Sequence, residues 1–217
     1  MKENRVLMSF RSYPEPVYSY RPDLVSPLAY NGIRRFFRPY FPENIMDQST
    51  QLKTNSSHHQ KPFQLIESGK RIAFIQASWH SDIVDQSRIS FVSECDNLGI
   101  DESNIDFFEV PGSLEIPLQA KLLAKTNQYA IIIAAGLIVD GGIYRHDFVA
   151  STVLDAMMNV QIDLEIPILS LVLTPHQFQE TAAHESFFYE HFKLKGAETA
   201  QACAMTLKNL EFTLTDS

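Results

Sequence analysis

The residues best suited to chemistry lie in three short segments of the chain. The first segment, Ser78-Trp79-His80, holds the only tryptophan of the sequence. An indole face stacks well on a flat ring, although a tryptophan can equally anchor the rim of a hydrophobic core. His80 adds a side chain that can exchange protons near neutral pH. The segment predicts a platform for a planar ligand, with an imidazole beside it.

The second segment begins at Pro111-Gly112, a dipeptide typical of a tight turn, and continues through Ser113, Leu114 and Glu115. Glu115 falls in the first turn of a predicted helix, where the helix dipole stabilises a carboxylate. This structural role needs no ligand. The alternative is that Glu115 accepts hydrogen bonds from ligand hydroxyl groups.

The third segment, Gly141 to Asp147, concentrates the most chemistry. Gly141 and Gly142 allow a ligand to approach the backbone closely, and the helix predicted to follow presents free N–H groups to an anion. Arg145, His146 and Asp147 then supply a cation, an imidazole and a carboxylate. The segment predicts an active-site loop that binds an anionic group.

Two lysines and the remaining histidines raise further possibilities. Lys193 and Lys195 stand out because residues 71–217 hold only eight Lys and Arg side chains. They could bind a phosphate or simply keep the surface soluble. The histidines show neither the His-x-x-x-His spacing nor a Cys-x-x-Cys partner typical of zinc sites, so no metal is predicted. These histidines are His80, His176, His184 and His191.

Hydrophobic periodicity predicts the elements that must position these segments. Strands are predicted over 72–76, 106–110, 130–139 and 168–173, and helices over 82–98, 114–124, 146–162 and 185–210. The last helix is predicted to break near Gly196. Strands that alternate with helices form a parallel sheet covered on both faces, with ligands bound beyond the carboxyl ends of the strands. The three segments follow the first three strands, so they are expected to meet at one edge.

Composition separates an N-terminal extension from the main domain. Residues 1–61 are rich in proline and polar side chains and are predicted to be poorly ordered, while residues 62–217 form the α/β domain. Within the extension, Met46 is a second candidate start. Residues 1–70 hold 10 Lys and Arg against 6 Asp and Glu, a net of +4, whereas residues 71–217 hold 8 against 20, a net of −12. An acidic domain is a poor nucleic-acid binder.

The expected location is the cytoplasm. Cys95 and Cys203 fall in predicted helices and cannot build a disulfide framework, so they are predicted to be buried free thiols. No apolar run approaches the roughly 20 residues that span a bilayer, and the N-terminus lacks the apolar region of a secretory signal. We therefore expect neither membrane insertion nor secretion.

Together the segments resemble the lumazine synthase family over about residues 70–210. The resemblance lies in 75–80, in the Val-Pro-Gly-x-x-Glu-Ile-Pro string of 110–117, in 136–149, in 172–174 and in Lys195-Gly196. It implies a flavodoxin-like three-layer α/β/α sandwich with a four-stranded parallel sheet. It also implies an enzyme of riboflavin biosynthesis, without a cofactor, whose site lies between neighbouring subunits of a pentamer.

The reaction implied by the resemblance joins 5-amino-6-(D-ribitylamino)uracil to 3,4-dihydroxy-2-butanone 4-phosphate. Trp79 then stacks on the pyrimidine, Ser113, Leu114 and Glu115 hold the ribityl chain, and strand-end backbone reads the uracil edge. The phosphate binds in the loop, and Lys195 lies near the subunit boundary. The strand-end residues are Leu137, Ile138 and Val139, and the loop residues are Gly141, Gly142 and Ile143.

The chain departs from the commoner type of the family at three positions. Arg145 stands where that type has its proton-transferring histidine, with His146 one place later. Phe187 stands where that type has a phosphate-binding arginine. Ser170 replaces an aromatic residue that reaches in from the adjacent subunit. His146 or His80 is therefore the predicted acid/base, and Arg145, helped by Lys193 or Lys195, the predicted phosphate ligand.

The Ala-Ser-Trp-His and Asp-Gly-Gly-Ile-Tyr-Arg-His strings resemble the second type of the family, which forms decamers from two pentamers. A strand predicted over 62–67 could add to the sheet of an adjacent subunit, as the N-terminal strand of the family does. The sequence leaves two alternatives open. One is a shell of the same fold that binds flavin or lumazine with little turnover. The other, a signalling domain of similar fold, lacks the acidic cluster expected after the first strand.

Overall fold

The structure, a computed structural model, describes residues 63–140, 145–176, 178–179 and 181–215. The predicted extension over residues 1–61 and the Gly141, Gly142 and Ile143 positions lie outside these residues. The strands are β1 (Arg71–Ala77), β2 (Ile105–Val110), β3 (Tyr129–Leu137) and β4 (Ile168–Leu173). The helices are α1 (Gln64–Glu67), α2 (Ser81–Asn97), α3 (Ile116–Lys125), α4 (His146–Leu164) and α5 (Ala182–Thr215), with 3-10 turns at Glu102–Asn104 and Ser113–Glu115.

The four strands form one parallel sheet in the order β2-β1-β3-β4. All nine residues of β3 are buried, which is why this strand is apolar on both faces. The predicted α/β class, the parallel sheet and the central position of the third strand are therefore confirmed. The chain passes from β1 to β2 on one side and then crosses to β3 on the other side of β1.

Alternation along the strands divides the core into two layers. Ile72 and Phe74 of β1 face α2 and α5, whereas Ala73 and Ile75 face α3 and α4. Each fully buried isoleucine or phenylalanine side chain contributes about 1.5–3 kcal/mol of hydrophobic free energy. Burial on both faces of the sheet therefore holds the carboxyl ends of β1 and β3 in fixed register.

Helix α2 ends in a Schellman motif that turns the chain back toward β2. Gly99 takes the left-handed conformation at φ +81°, where a side chain would be strained. The backbone N–H of Gly99 donates to Asp96 O at 3.0 Å, and that of Ile100 donates to Cys95 O at 2.8 Å. The helix therefore ends where glycine permits this reversal.

Two predictions about secondary structure are wrong. The segment predicted as a strand over 62–67 contains one helical turn, Gln64–Glu67, which the backbone N–H of Leu65 ties to Glu211 Oε1 at 3.0 Å. The predicted break near Gly196 is absent, because α5 continues through it. A Cβ at Gly196 would lie 2.2 Å from the carbonyl oxygen of Ser87. This glycine therefore permits close packing of α5 against α2.

The two cysteines are free thiols buried between α2 and α5, as predicted. Burial raises the pKa of the Cys95 thiol to about 12 and also raises that of Cys203. Both therefore stay protonated as small apolar side chains at neutral pH. Among the described helices, none is long and apolar enough to cross a membrane.

Candidate active site

The crevice between β1 and β3 is the topological switch point of the sheet, because the chain runs from β1 to β2 on one side and from β3 to β4 on the other. Ligands of open parallel sheets bind at such a point, outside the carboxyl ends of the strands. The Ser78-Trp79-His80 segment follows β1, and Ile138, Val139 and Asp140 follow β3. The described parts of the predicted site therefore flank one crevice.

Trp79 and Glu115 meet at the turn between β2 and α3. The indole of Trp79 is 66% exposed, and its Cδ2 atom lies 3.5 Å from the position that a Cβ on Gly112 would occupy. Glu115 Oε2 accepts a hydrogen bond from the backbone N–H of Gly112 at 3.0 Å. Gly112 thus lets a ring and a carboxylate share one small surface. The structure joins two segments that the sequence placed more than 30 residues apart.

Ser113 packs against Gly136 of the central strand β3. A Cβ on Gly136 would lie 2.6 Å from Ser113 Oγ and 3.5 Å from Ala77 Cβ. Ser113 itself is buried, while Leu114 beside it is exposed. Gly136 therefore makes room for the turn to settle on the sheet. Nothing in the local pattern of β3 predicts this role.

The loop after β1 is fastened to the end of β2. The backbone N–H of Ser78 donates to Val110 O at 2.8 Å, and Ser78 Oγ donates to Glu109 Oε1 at 2.7 Å. His80 follows in the left-handed conformation, at φ +57°, as the N-cap of α2. Trp79 therefore lies between Ser78, which is hydrogen-bonded to the end of β2, and His80, whose backbone is in the left-handed conformation.

The end of β3 can offer mainly its backbone to a ligand. The side chains of Leu137 and Ile138 are buried in the two core layers, and Val139 is half-buried. The backbone N–H of Ile138 donates to Leu173 O of the neighbouring strand end at 2.9 Å. The remaining backbone groups at this edge are suited to hydrogen bonds with a flat heterocycle.

The start of α4 carries a small network of charged groups. His146 Nε2 lies 3.1 Å from Asp147 Oδ1, and an Arg145 nitrogen lies 3.7 Å from Asp147 Oδ2. The Arg145 guanidinium also lies 4.2 Å from the centre of the Phe148 ring. Arg145 is exposed, whereas the His146 side chain is only 17% exposed. The network therefore combines an accessible cation with a sheltered imidazole at a helix N-terminus, which favours anions.

Three predicted residues lie away from this crevice within one chain. Ser170 is exposed in the middle of β4, where it pairs with Ala134. Lys193 and Lys195 form ion pairs with Glu190 and Glu198 of their own helix, at 2.8 Å and 2.7 Å. Gly196, next to Lys195, contacts Ser87 of α2, which lies about 10 Å along the helix axis from the Trp79 loop.

Sequence reasoning missed Phe178, a buried aromatic residue in the loop after β4 whose ring lies 5.6 Å from that of His80. Its burial depends on α5 and on α2, so no local pattern predicts it. Over the described ranges, no cluster of three or more His, Cys, Asp or Glu side chains could hold a metal ion.

The fold defines a parallel α/β protein with a candidate ligand site at its topological switch point. Comparison with known proteins identifies the family. The family described as 6,7-dimethyl-8-ribityllumazine synthase matches residues 69–211. The chain belongs to this family.

Relatives support the same assignment over most of their own length. A 6,7-dimethyl-8-ribityllumazine synthase of Rhodococcus erythropolis is 56% identical over 143 residues, which cover 66% of this chain and 92% of that protein. A 6,7-dimethyl-8-ribityllumazine synthase 2 of Pseudomonas syringae pv. tomato is 57% identical over 141 residues, 65% of this chain and 83% of that protein. A synthase of Stenotrophomonas maltophilia is 30% identical over 154 residues, 71% of this chain and 96% of that protein.

Proposed function

We propose that this chain is a transferase of riboflavin biosynthesis that forms 6,7-dimethyl-8-ribityllumazine in the crevice between β1 and β3. The substrates are 5-amino-6-(D-ribitylamino)uracil and 3,4-dihydroxy-2-butanone 4-phosphate. An imine forms with loss of water, phosphate is eliminated, and ring closure loses a second water. The observation that carries the proposal is the shared surface of Trp79 and Glu115 beyond the carboxyl ends of β1 and β2.

The pyrimidine ring is assigned to the indole of Trp79 and to the end of β3. The exposed indole face supplies a stacking surface, and ring stacking contributes about 0.5–1.5 kcal/mol beyond area burial. The backbone of Leu137, Ile138 and Val139 is available for the polar edge of uracil, because two of these three side chains are buried. This division orients the amine of the substrate toward the loop after β3.

The ribityl chain is assigned to the turn of Ser113, Leu114 and Glu115. One oxygen of the Glu115 carboxylate holds the Gly112 N–H, and the group is exposed to solvent. A carboxylate has about four lone-pair sites, so it can accept from hydroxyl groups while it caps the turn. The structural and functional interpretations of Glu115 are therefore compatible.

The phosphate is assigned to the N-terminus of α4 with Arg145 and the Gly141, Gly142 and Ile143 segment that precedes it. An incoming dianion competes with Asp147 for the Arg145 guanidinium, which lies 3.7 Å from that carboxylate. His146 is the preferred acid/base, since Asp147 orients its sheltered imidazole, and His80 is the second candidate. Much of the rate comes from holding two reactive molecules together, which can supply about 7–11 kcal/mol.

Self-association is part of the proposal, because the outer faces of α3 and α4 are apolar. Leu118 and Leu122 of α3 are exposed, as are Met158 and Ile162 of α4. Patches of this kind mark association surfaces. A closed ring of five chains would cover them, and two rings would form a decamer. In such a ring Ser170, Lys193 and Lys195 are assigned to the site of a neighbouring copy.

The proposed location is the cytoplasm, and the proposed partners are the two substrates and further copies of the chain. Nucleic acid is not a proposed partner, because residues 71–217 have a net charge of −12, from 8 Lys and Arg against 20 Asp and Glu. A membrane is not a proposed partner either. The acidic balance also explains why few local cations must hold the anionic substrate.

The test is the absorbance of lumazine formed from the two substrates by Arg145→Ala and His146→Ala. Arg145→Ala is expected to raise the KM for the phosphate substrate about tenfold or more, because a charged hydrogen bond contributes about 1.5–3 kcal/mol. Arg88→Ala is the matched control, since Arg88 also lies over a phenylalanine ring, at 5.6 Å from the centre of Phe107. Unchanged kinetics in both site variants would remove these residues from the mechanism.

A second candidate function is a shell that retains flavin or lumazine with little turnover. It is favoured by Phe187, an exposed aromatic residue stacked on His191 at a position where the commoner family type has a cation. The same absorbance assay separates the two functions. Binding of 6,7-dimethyl-8-ribityllumazine without its formation from the substrates would favour the shell.

A further inference from the structure

His80 is held in a backbone conformation that its side chain disfavours. Its φ of +57° and ψ of +39° lie in the left-handed region, which costs a residue with a Cβ about 1–2 kcal/mol. Its carbonyl oxygen accepts from the N–H groups of Ile83 and Val84 at 3.0 and 2.9 Å, so the conformation starts α2. Glycine would satisfy this backbone without strain. The imidazole is therefore carried on a backbone conformation that the start of α2 fixes.

Phe178 supports the His80 ring from the loop after β4. Phe178 is only 8% exposed, although it belongs to the loop between β4 and α5. Its ring centre lies 5.6 Å from that of His80 in an edge arrangement, and 5.4 Å from that of Phe188 on α5. Phe178 thus lies between the segment that carries Trp79 and the first turns of α5.

Two hydrogen bonds join the segment around Phe178 to α5, and a third lies within the segment. The N–H of Gln179 donates to His184 Nδ1 at 3.1 Å, and the N–H of Thr181 donates to Gln179 O at 2.7 Å. Thr181 O accepts from the N–H of Glu185 at 3.0 Å. These bonds tie the described residues that follow Phe178 to α5, so Phe178 can hold the imidazole in one orientation.

We propose that Phe178 is a positioning residue that acts through His80, so that the loop after β4 sets the orientation of the imidazole beside the Trp79 platform. The inference rests on the proposed function and deepens it. It assigns the reaction a residue that does not touch substrate.

The test combines His80→Gly, Phe178→Ala, Phe178→Leu and the double variant His80→Gly/Phe178→Ala. Glycine at position 80 keeps the left-handed backbone and removes only the imidazole. His80→Gly and Phe178→Ala are each expected to lower kcat/KM about tenfold, since a misplacement of about 1 Å at a reacting centre can cost up to about a hundredfold. Phe178→Leu fills the space without a ring and is expected to give a smaller loss.

The double variant distinguishes positioning through His80 from an independent role. If Phe178 acts through His80, the double variant is no less active than His80→Gly, because the interaction is already lost. An additional tenfold loss in the double variant would overturn the proposal. So would a Phe178→Ala enzyme with kcat/KM within about twofold of the parent.

Phe63→Ala is the control for the general effect of losing a peripheral buried ring. Phe63 is 4% exposed, packs beside α5 near Lys208, and lies ahead of β1, away from the crevice. Below the unfolding temperature of every variant, Phe63→Ala is expected to leave kcat/KM unchanged. An equal loss in Phe63→Ala would attribute the Phe178 effect to stability and refute the proposal.

A readout without substrate separates this inference from the proposed function. Trp79 is the only tryptophan, so quenching of its fluorescence by acrylamide reports on the loop directly. Phe178→Ala is expected to raise the quenching constant by about half or more, and Phe63→Ala to leave it unchanged. Equal quenching in all variants would overturn the positioning role, even if the chain formed no lumazine. Parent protein without lumazine formation but with the quenching difference would overturn only the proposed function.

Discussion

Substitution of Gly196 by alanine tests how closely α5 packs against α2. A Cβ at this position would lie 2.2 Å from the carbonyl oxygen of Ser87, 2.9 Å from its carbonyl carbon and 2.1 Å from Ser90 Oγ. The hydroxyl of Ser90 can rotate away, but the backbone of Ser87 cannot. Ordinary contact would require the two helices to separate by about 1 Å.

The expected loss follows from two opposing effects on the free energy of unfolding. Overpacking of a close interior contact costs about 3 kcal/mol at the upper end of its usual range. Alanine has a helix propensity about 1 kcal/mol better than glycine. The net destabilisation is therefore about 2 kcal/mol, or about 4–8 °C in Tm for a domain of this size. Separation of the helices would also loosen the buried Phe91 and Phe192 between them.

The measurement is urea denaturation of Gly196→Ala and of the parent at equal protein concentration, because association contributes to stability. Ser90→Ala and the double variant serve as controls. The double variant is expected to recover little, since the Ser87 carbonyl still lies in the way. A Gly196→Ala protein as stable as the parent, or more so, would refute the argument that backbone contact fixes this glycine.

Three further predictions concern the contact of Gly136 with Ser113, the ion pair of Arg71 with Asp106, and the indole of Trp79. Gly136→Ala displaces the hydroxyl of Ser113, which lies 2.6 Å from the new Cβ, and is expected to raise the KM for the ribitylamino substrate with stability reduced by about 1 kcal/mol; unchanged steady-state kinetics would contradict it. The Arg71 guanidinium, with two hydrogen bonds of 2.6 Å, holds the pKa of Asp106 below its usual range. A carboxylate with a lowered pKa stabilises the fold above the ordinary pKa of about 3.9, and this stabilisation is lost as the pH falls below that value and through the lowered pKa. Asp106→Asn should therefore lower the denaturation midpoint at pH 7 but have a much smaller effect near pH 3. An equal effect at both pH values would be evidence against the ion pair. Trp79→Ala should raise the KM for the ribitylamino substrate about tenfold and Trp79→Phe less, by loss of stacking; equal kinetics in all three proteins would rule out the platform.

The class of fold could be predicted because its signals are local. β3 is buried on both faces, so its residues form a continuous apolar run that indicates a central strand. The predicted helices over 82–98 and 146–162 agree with α2 and α4 to within a few residues, since each has an apolar side of helical spacing. Strand-end loops of such a sheet meet at one edge, which made Trp79 and Glu115 predictable as neighbours.

The two errors have the same physical origin. The strand expected over 62–67 follows from the resemblance to the family, whereas the turn that this segment forms is stabilised by a hydrogen bond from Leu65 to Glu211, 146 residues away. Gly196 breaks isolated helices, yet here the contact with Ser87 favours a residue without a side chain. In both cases a contact between distant segments decided the structure, and at Gly196 it outweighed a local preference of about 1 kcal/mol.

The sequence by itself determined the order of strands and helices, the three segments from which the site is proposed and the family to which the chain belongs. The tertiary structure alone decided that the indole of Trp79 lies on Gly112, that Gly136 seats Ser113 and that Phe178 supports His80. The reason is physical. Periodicity and strand-end position depend on neighbours within a few residues, whereas these contacts join segments that only the packed sheet brings together.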